Sequence, residues 1–314
     1  MNSKTWENII EPPEPIRVSN LKVHVVDGES FSLATKRPDL YTTVLDYWSK
    51  KQGDMAVKRA HDLAEAVRLA KSGDDARLRR MQNQIGGVEI KHRLNMASLI
   101  SERLALVRSG TNYMEFIGTN ERAIDDSEWR EKLMEAGFND RGDVNAYFAN
   151  PLAECTVLYG AEAGQINDRS KVYVVVGWRS DKVMIYPNVP HVFGGVLNDL
   201  VIGGGKELKE EIGLEDHELG VPIFYGIIRQ GKSRHPEVIL GSSVMIGQDE
   251  LLDRWGKSSA RFEHRNIQCL KLNEIPSLLE EYGDRMVPSG AAALTALVNN
   301  YNPRRKKSHL SLAL

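Results

Sequence analysis

Residues 203–214 read GGGKELKEEIGL. Glu207, Glu210 and Glu211 fall at i, i+3 and i+4, so a helix places all three carboxylates on one face. Like charges at that spacing each cost an isolated helix a few tenths of about 1 kcal/mol, and a cation that neutralises them turns the cluster into a site. Each glycine inside a helix costs up to about 1 kcal/mol relative to alanine, so Gly203, Gly204 and Gly205 set the helix start near Gly205. Gly213 stands where a left-handed cap is expected. A solvated acidic face has the same letters, so the surrounding chain decides between the two readings.

The 314 residues suffice for one large or two ordinary domains. With 41 basic and 43 acidic side chains the net charge is -2, which argues against a nucleic-acid or membrane-surface role for the chain as a whole. Cys155 and Cys269 lie in separate apolar runs and read as buried free thiols of a reducing compartment, and two cysteines exclude an all-cysteine zinc site. There is no apolar signal segment or membrane span, so the expected location is the cytoplasm.

Pro12, Pro13 and Pro15 mark residues 1–20 as a loop or arm, and Leu21 to Val26 (LKVHVV) alternates as a short strand. Apolar steps of three and four residues predict helices over Met55 to Lys71, Ala76 to Ile85 and Leu94 to Val107, with a shorter one from Trp129 to Ala136 that ends at Gly137. From Asn150-Pro151 the texture changes. Strands are expected at Glu154 to Tyr159, Lys171 to Trp178, Val183 to Tyr186, Ile223 to Arg229, Val238 to Ile246 and Gln268 to Leu272. Two helices follow, Ile275 to Tyr282 and Ser289 to Val298, the latter introduced by Pro288. The expected division is a mostly helical region over 1–145, an α+β domain over 146–302 and a basic tail over 303–314, where Arg304 to Lys307 are read as solvated charge rather than a nucleic-acid arm.

Lys206 to Leu214 resembles the signature helix of the Nudix hydrolases, Arg-Glu-apolar-x-Glu-Glu-x-Gly-apolar, with lysine in the arginine's place. The preceding Gly177-Trp178-Arg179-Ser180, Tyr186-Pro187, His191 and Gly194-Gly195 resemble the family's approach to its glycine-rich loop. The likeness covers about residues 146–300. The interval from Gly195 to Lys206 is three residues shorter than in the family signature, and the first signature glutamate is replaced by Asn198 or has its counterpart in Asp199. The resemblance implies a Nudix-like mixed β-sheet sandwiched between helices.

It also implies Mg2+ or Mn2+ held by Glu207, Glu210 and Glu211, with Glu210 or Glu211 orienting or deprotonating water and Glu263 as a further acid. The substrate is expected to be a small-molecule diphosphate or nucleotide. Arg179 and Arg229 are candidate phosphate contacts, because a guanidinium grips phosphate oxygens in pairs. His191, Glu237 and Lys206 complete the substrate-binding candidates, although a structural role is the commoner one for a histidine such as His191 and a strand start also explains Glu237. Tyr41, Tyr47, Trp48 and Arg37 read as packing before they read as a base-stacking group. Two functions remain open: a hydrolase of a nucleoside diphosphate-linked compound, and a non-hydrolytic module that senses a nucleotide or sugar phosphate. A homodimer through the N-terminal helical region is a further expectation.

Overall fold

The computed structural model describes residues 5–28, 33–52, 90–161, 166, 168–183, 185–197, 202–203 and 205–301. The N-terminal part contains β1 (Trp6–Ile10), β2 (Ile16–Arg17), β3 (Lys22–Asp27), α1 (Leu33–Lys36), α2 (Pro38–Gln52), β4 (Ile90–Ile100) and β5 (Arg103–Asn112). It continues through α3 (Tyr113–Phe116), a π-helical turn (Ile117–Glu121), α4 (Arg122–Asp125) and α5 (Ser127–Arg141). Then come β6 (Ala153–Gly160), β7 (Tyr173–Arg179), β8 (Pro190–His191), β9 (Phe193–Val196), α6 (Gly205–Ile212), β10 (Ile223–Gln230) and β11 (Pro236–Ser243). The last elements are α7 (Gln248–Lys257), β12 (His264–Lys271), α8 (Ile275–Tyr282) and α9 (Pro288–Asn300).

The fold is mixed α+β around a large mixed sheet in the order β1-β10-β11-β6-β7-β12, with a second sheet in the order β3-β5-β4. Central strands β6 and β11 run parallel and are buried along nearly their whole length, which is why ECTVLY and VILGSS read as almost continuous apolar or small runs. Successive residues face opposite sides of the sheet. Val157, Val174 and Val176 pack beneath Leu278, Leu294 and Leu297 of α8 and α9, whereas Leu158, Val175 and Phe193 pack beneath Leu208, Ile212 and Leu251 of α6 and α7. Leu94, Leu104 and Leu106 of the smaller sheet close over Phe224, Ile227 and Leu240.

One irregularity makes room for a site. β6 and β7 pair only from Leu158–Gly160 to Tyr173–Val175, and beyond this they part. Into the fork come β9, paired with Ala153–Thr156 of β6, and β8, paired with Gly177 and Trp178 of β7. The fork opens where β6, β11 and β12 begin and where β7 and β10 end, so several loops and strand ends meet there.

Several expectations need correction. Leu94 to Val107 is not a helix but part of the antiparallel hairpin β4–β5, in which Leu104 and Leu106 are buried at a spacing of two. Its apolar letters fit both periods, and Ser101 with φ 55° makes the turn that a helix lacks. Residues 1–20 are not merely a loop. Prolines 12, 13 and 15 separate two strands, β1 and β2, both paired with β10, so the described residues of the N-terminal region hold strands as well as helices.

Val183 to Tyr186 is a turn at its described positions, and Tyr186 adopts φ 50°, which a strand excludes. The helix expected to stop at Gly137 runs on to Arg141 and is capped by Gly142 at φ 69°. Gly137 is retained inside it because a Cβ there would lie 2.6 Å from the Asp143 carbonyl oxygen. Cys155 is buried, but Cys269 is only half-buried. The helices expected at Met55 to Lys71 and Ala76 to Ile85, together with Asn198, Asp199, Gly204 and the basic tail, lie outside the described residues. Among the described residues no helix is long and apolar enough to cross a membrane.

Candidate active site

The acidic helix forms as its sequence dictates. α6 begins at Gly205, ends at Ile212 and is closed by Gly213 at φ 80°, whose N–H donates to the Lys209 carbonyl at 2.9 Å. Leu208 and Ile212, one helical turn apart, anchor it to the sheet. That anchoring turns Glu211 inward, where it is 2% exposed, and leaves Glu210 half in solvent beside Lys206 at 3.9 Å.

Glu207 meets the backbone of β9. A Cβ at Gly195 would lie 2.7 Å from the Glu207 carboxylate, and one at Gly194 would lie 2.1 Å from the Glu154 carbonyl oxygen. Only glycine lets β9 pass between the acidic helix and β6 at this separation. This supplies a physical reason for the Gly194-Gly195 pair.

Glu211 has two partners. Its Oε1 accepts the Gly194 N–H at 3.1 Å, and its Oε2 lies 2.8 Å from Nε2 of His264 at the start of β12. Burial pushes the Glu211 carboxyl upward, against the Gly194 hydrogen bond and the charge of Arg179, while burial and Arg179 push His264 downward. The pair therefore favours a neutral carboxylic acid donating to a neutral imidazole. Burial first, then Glu211 and Glu210, raises the Glu207 pKa to about 7. Burial and Glu211 raise that of Glu263 as well, opposed by Arg179. Glu207, Glu211 and Glu263 thus each lie close enough to a neighbouring carboxylate for its charge to oppose their ionisation.

A cavity of about 270 Å³ opens in the fork between β6 and β7. Arg179, His191, Glu237 and Glu263 all line it, as do Gly194 and Gly195, so these candidates, scattered over eighty-odd positions of sequence, do converge. Arg179, at the end of β7, is held by a hydrogen bond from Nε to the Ile185 carbonyl oxygen at 3.2 Å. Glu237 is buried and accepts a hydrogen bond from Gln230 Nε2. His191 is wedged against α9, where a Cβ on Gly290 would come within 2.5 Å of its Nδ1, and burial keeps its imidazole neutral.

Two candidates go elsewhere. Arg229 does not line this cavity. Its side chain turns to β1, with Nε 3.3 Å from Glu7 Oε1, because its strand position faces away from the fork. Lys206, with Glu207, lines a larger cavity of about 580 Å³ beyond β9 that shares only Glu154 and Val196 with the first. The acidic helix therefore straddles β9, with Glu207 facing one hollow and Glu211 tied toward the other.

The sequence did not single out His264, Glu154, Gln230, His235 or Tyr186 as site residues. His264 adjoins Glu263 in ARFEHRN and could have been found by asking which alternate residue of a strand start faces inward. Glu154, buried at the start of β6, accepts the Gly203 N–H at 3.2 Å and so ties the glycine-rich approach to the sheet. Tyr41 and Trp48 pack around Met114, and Tyr47 and Trp48 around Phe116 and Ile117; Arg37 pairs with Asp39 and Asp140, as packing would require.

The raised carboxylates set a pH dependence. Glu207 has an ordinary value near 4.5 and about 7 in the folded chain, so between these the folded state holds a proton that the unfolded chain has released. Its contribution is fully present below the lower value and is lost as pH rises through about 7; Glu211 and Glu263 shift in the same direction. The lowered His264 and His235 act oppositely, losing stability as pH falls below the ordinary histidine value. In metal-free buffer the melting temperature is expected to fall from about pH 6.5 to pH 9, and Glu207→Gln is expected to flatten that fall. A flat wild-type profile over this range would contradict the burial of these acids.

Among the described residues no group of three or more His, Cys, Asp or Glu side chains is gathered closely enough to hold one metal ion. The donors nevertheless suit a hard divalent cation, since all four are carboxylates in mutual repulsion, and Mg2+ takes only one or two carboxylates and keeps several waters. Compared with known proteins, the chain matches no family model and no curated protein.

Proposed function

We propose that the chain is a Nudix-type hydrolase, dependent on Mg2+ or Mn2+, that cleaves a diphosphate bond in a nucleoside diphosphate-linked or related organic diphosphate. The observation that carries this reading is the grouping of Glu207, Glu210, Glu211 and Glu263 around a glycine strand, with Arg179 and Glu263 lining a cavity beside it. A purely packing role gives no reason to concentrate acids whose charges oppose one another. Glu207 and Glu210 would hold the cation, which would neutralise phosphate oxygens and acidify a bound water. Arg179 would grip the phosphate oxygens from the other side. Glu263, with its raised pKa, would accept the proton of the attacking water as its oxygen bonds to phosphorus and the bridging oxygen leaves with the second phosphate. Glu211, fixed by Gly194 and His264, would hold the glycine strand against the helix and supply a carboxylate once a cation draws its proton off.

A second reading, a non-hydrolytic nucleotide or sugar-phosphate sensor, is favoured by one observation: Glu211 is already occupied by Gly194 and His264. The two are separated by incubating the protein with nucleoside diphosphate-linked sugars, dinucleoside polyphosphates and nucleoside triphosphates, in Mg2+ and in EDTA, with phosphorus NMR as readout. Cleavage in Mg2+ alone supports the hydrolase. Thermal stabilisation by the same compounds in EDTA without cleavage supports the sensor.

A further inference from the structure

His264 touches three of the elements that meet at the fork. It begins β12, is 2% exposed, and its Nε2 lies 2.8 Å from Glu211 Oε2 of α6. The ring stands edge-on to Phe193 of β9, with centroids 5.2 Å apart. It also fills the space over Gly177 of β7, where a Cβ would collide with Nδ1 and Cε1. Only a residue without a Cβ leaves room for the imidazole there.

Strand alternation alone would not aim His264 at the acidic helix. Ile267 and Cys269 of β12 pack toward α6 and α7, whereas Leu270 packs toward α8 and α9. Period two, carried back from Ile267, assigns Arg265 to the α6 side and His264 to the opposite side. The pairing with β7 slips instead. His264 stands opposite Arg179 and Asn266 opposite Trp178, so two steps along β12 match one step along β7. Arg265 is the extra residue. It crosses to the α8 side, where its guanidinium lies 5.8 Å from the centre of the Trp178 ring, which itself packs edge-on to Tyr282 of α8. His264 takes the inward place. A bulge re-aims a side chain in this way, and bulges are over-represented next to active sites. Glu263, the preceding residue, lines the cavity, and its carbonyl oxygen accepts the Ser180 N–H at 2.8 Å. One strand start therefore carries both an acid of the cavity and the side chain that holds an acid of the helix.

We propose that His264 is a positioning residue for the divalent-cation site. It holds no cation itself, but fixes the Glu211 carboxylate, and through it Gly194 and β9, in the arrangement that accepts the ion. This inference rests on the reading of the acidic helix as a cation site. Glu211 Oε1 is held by the Gly194 N–H at 3.1 Å and Oε2 by His264, and each oxygen keeps a further lone pair. A carboxylate held at both oxygens presents those lone pairs in one direction, whereas a free one must be ordered when the ion binds. Groups that orient metal-binding side chains in this way typically carry about 10- to 100-fold of metal affinity. Packing against Gly177 and Phe193 needs only a ring, and the bond to Glu211 needs a nitrogen. That difference separates the positioning role from a structural one.

His264→Phe keeps a ring beside Phe193 and removes the bond to Glu211. His264→Gln gives up the ring but keeps an amide that can bond Glu211. Two quantities are read on the full chain: hydrogen–deuterium exchange of residues 192–197 in EDTA, and the Mn2+ dissociation constant from the electron paramagnetic resonance signal of the free ion. His264→Phe is expected to speed exchange of 192–197 about tenfold with β11 and α9 unchanged, and to weaken Mn2+ binding about tenfold. His264→Gln should stay within about threefold of the wild type in both. Unchanged Mn2+ affinity or unchanged exchange of 192–197 in His264→Phe overturns the positioning role. So does a His264→Gln protein as impaired as His264→Phe, or a loss of protection that extends to β11 and α9, which marks a packing role alone. A wild-type chain that takes up no Mn2+ removes the cation site and this role with it. Mn2+ uptake without diphosphate cleavage leaves the role standing and removes only the hydrolase reading.

Discussion

Glu211→Gln is expected to lower Mg2+-dependent turnover by about 10³-fold while leaving the fold intact. Glutamine has the same shape, and its amide oxygen can accept the Gly194 N–H while its amide nitrogen donates to His264, so both hydrogen bonds of the buried side chain survive. The substitution also removes a carboxyl whose ionisation burial opposes, so the metal-free melting temperature should stay level or rise slightly. Glu210→Gln, in a half-exposed position, should lose turnover to a comparable degree with even less effect on stability. Turnover and melting curves on the same preparations check both claims. Full turnover in both variants would remove the acidic helix from the chemistry.

The second large effect is structural. Gly194→Ala places a Cβ 2.1 Å from the Glu154 carbonyl oxygen and 2.9 Å from Cys155 Cα, both backbone atoms of the central strand to which β9 is paired. Neither can rotate away, so β9 must shift out of register or detach. The expected cost is about 3 kcal/mol of stability, at the upper end of overpacking penalties. Gly195→Ala is a useful contrast, because its Cβ would meet the end of the Glu207 side chain, 2.7 Å away, which can swing aside. That variant should fold with a smaller loss of stability but lose metal affinity, since Glu207 no longer sits over the strand. Chemical denaturation of the pair checks the ordering, and equal stability losses would contradict it.

These two results rest on features of unequal visibility in the sequence. The acidic helix, its start at Gly205 and its stop at Gly213 were legible because they depend on local chemistry: glycine cost, carboxylate spacing and a left-handed cap. The parallel core strands and both final helices were legible for the same reason. The partner of Glu211 was not, because His264 lies 53 positions further on and reaches it only through the pairing of β12 with β7. Arg229 read as a phosphate contact because its residue type fits, but strand alternation sends it to Glu7. The hairpin at 90–112 failed for a different reason, since Met96, Ile100, Leu104 and Val107 fall at helical steps while Leu104 and Leu106 also alternate as a strand, and the two readings compete until the turn at Ser101 is known. The π-helical turn and the strained Tyr186 depend on tertiary packing and leave no local signal.

The central claim is that the acidic group around β9 is a divalent-cation site. Mn2+ titration followed by electron paramagnetic resonance tests it most directly, because free Mn2+ gives a sharp signal that binding removes. The account predicts that one equivalent of Mn2+ is taken up at neutral pH, that Mg2+ competes for it, and that Glu207→Gln combined with Glu210→Gln abolishes the uptake in a protein that still melts cooperatively. An unchanged free-Mn2+ signal with the wild-type chain, or equal uptake by the double variant, would contradict it.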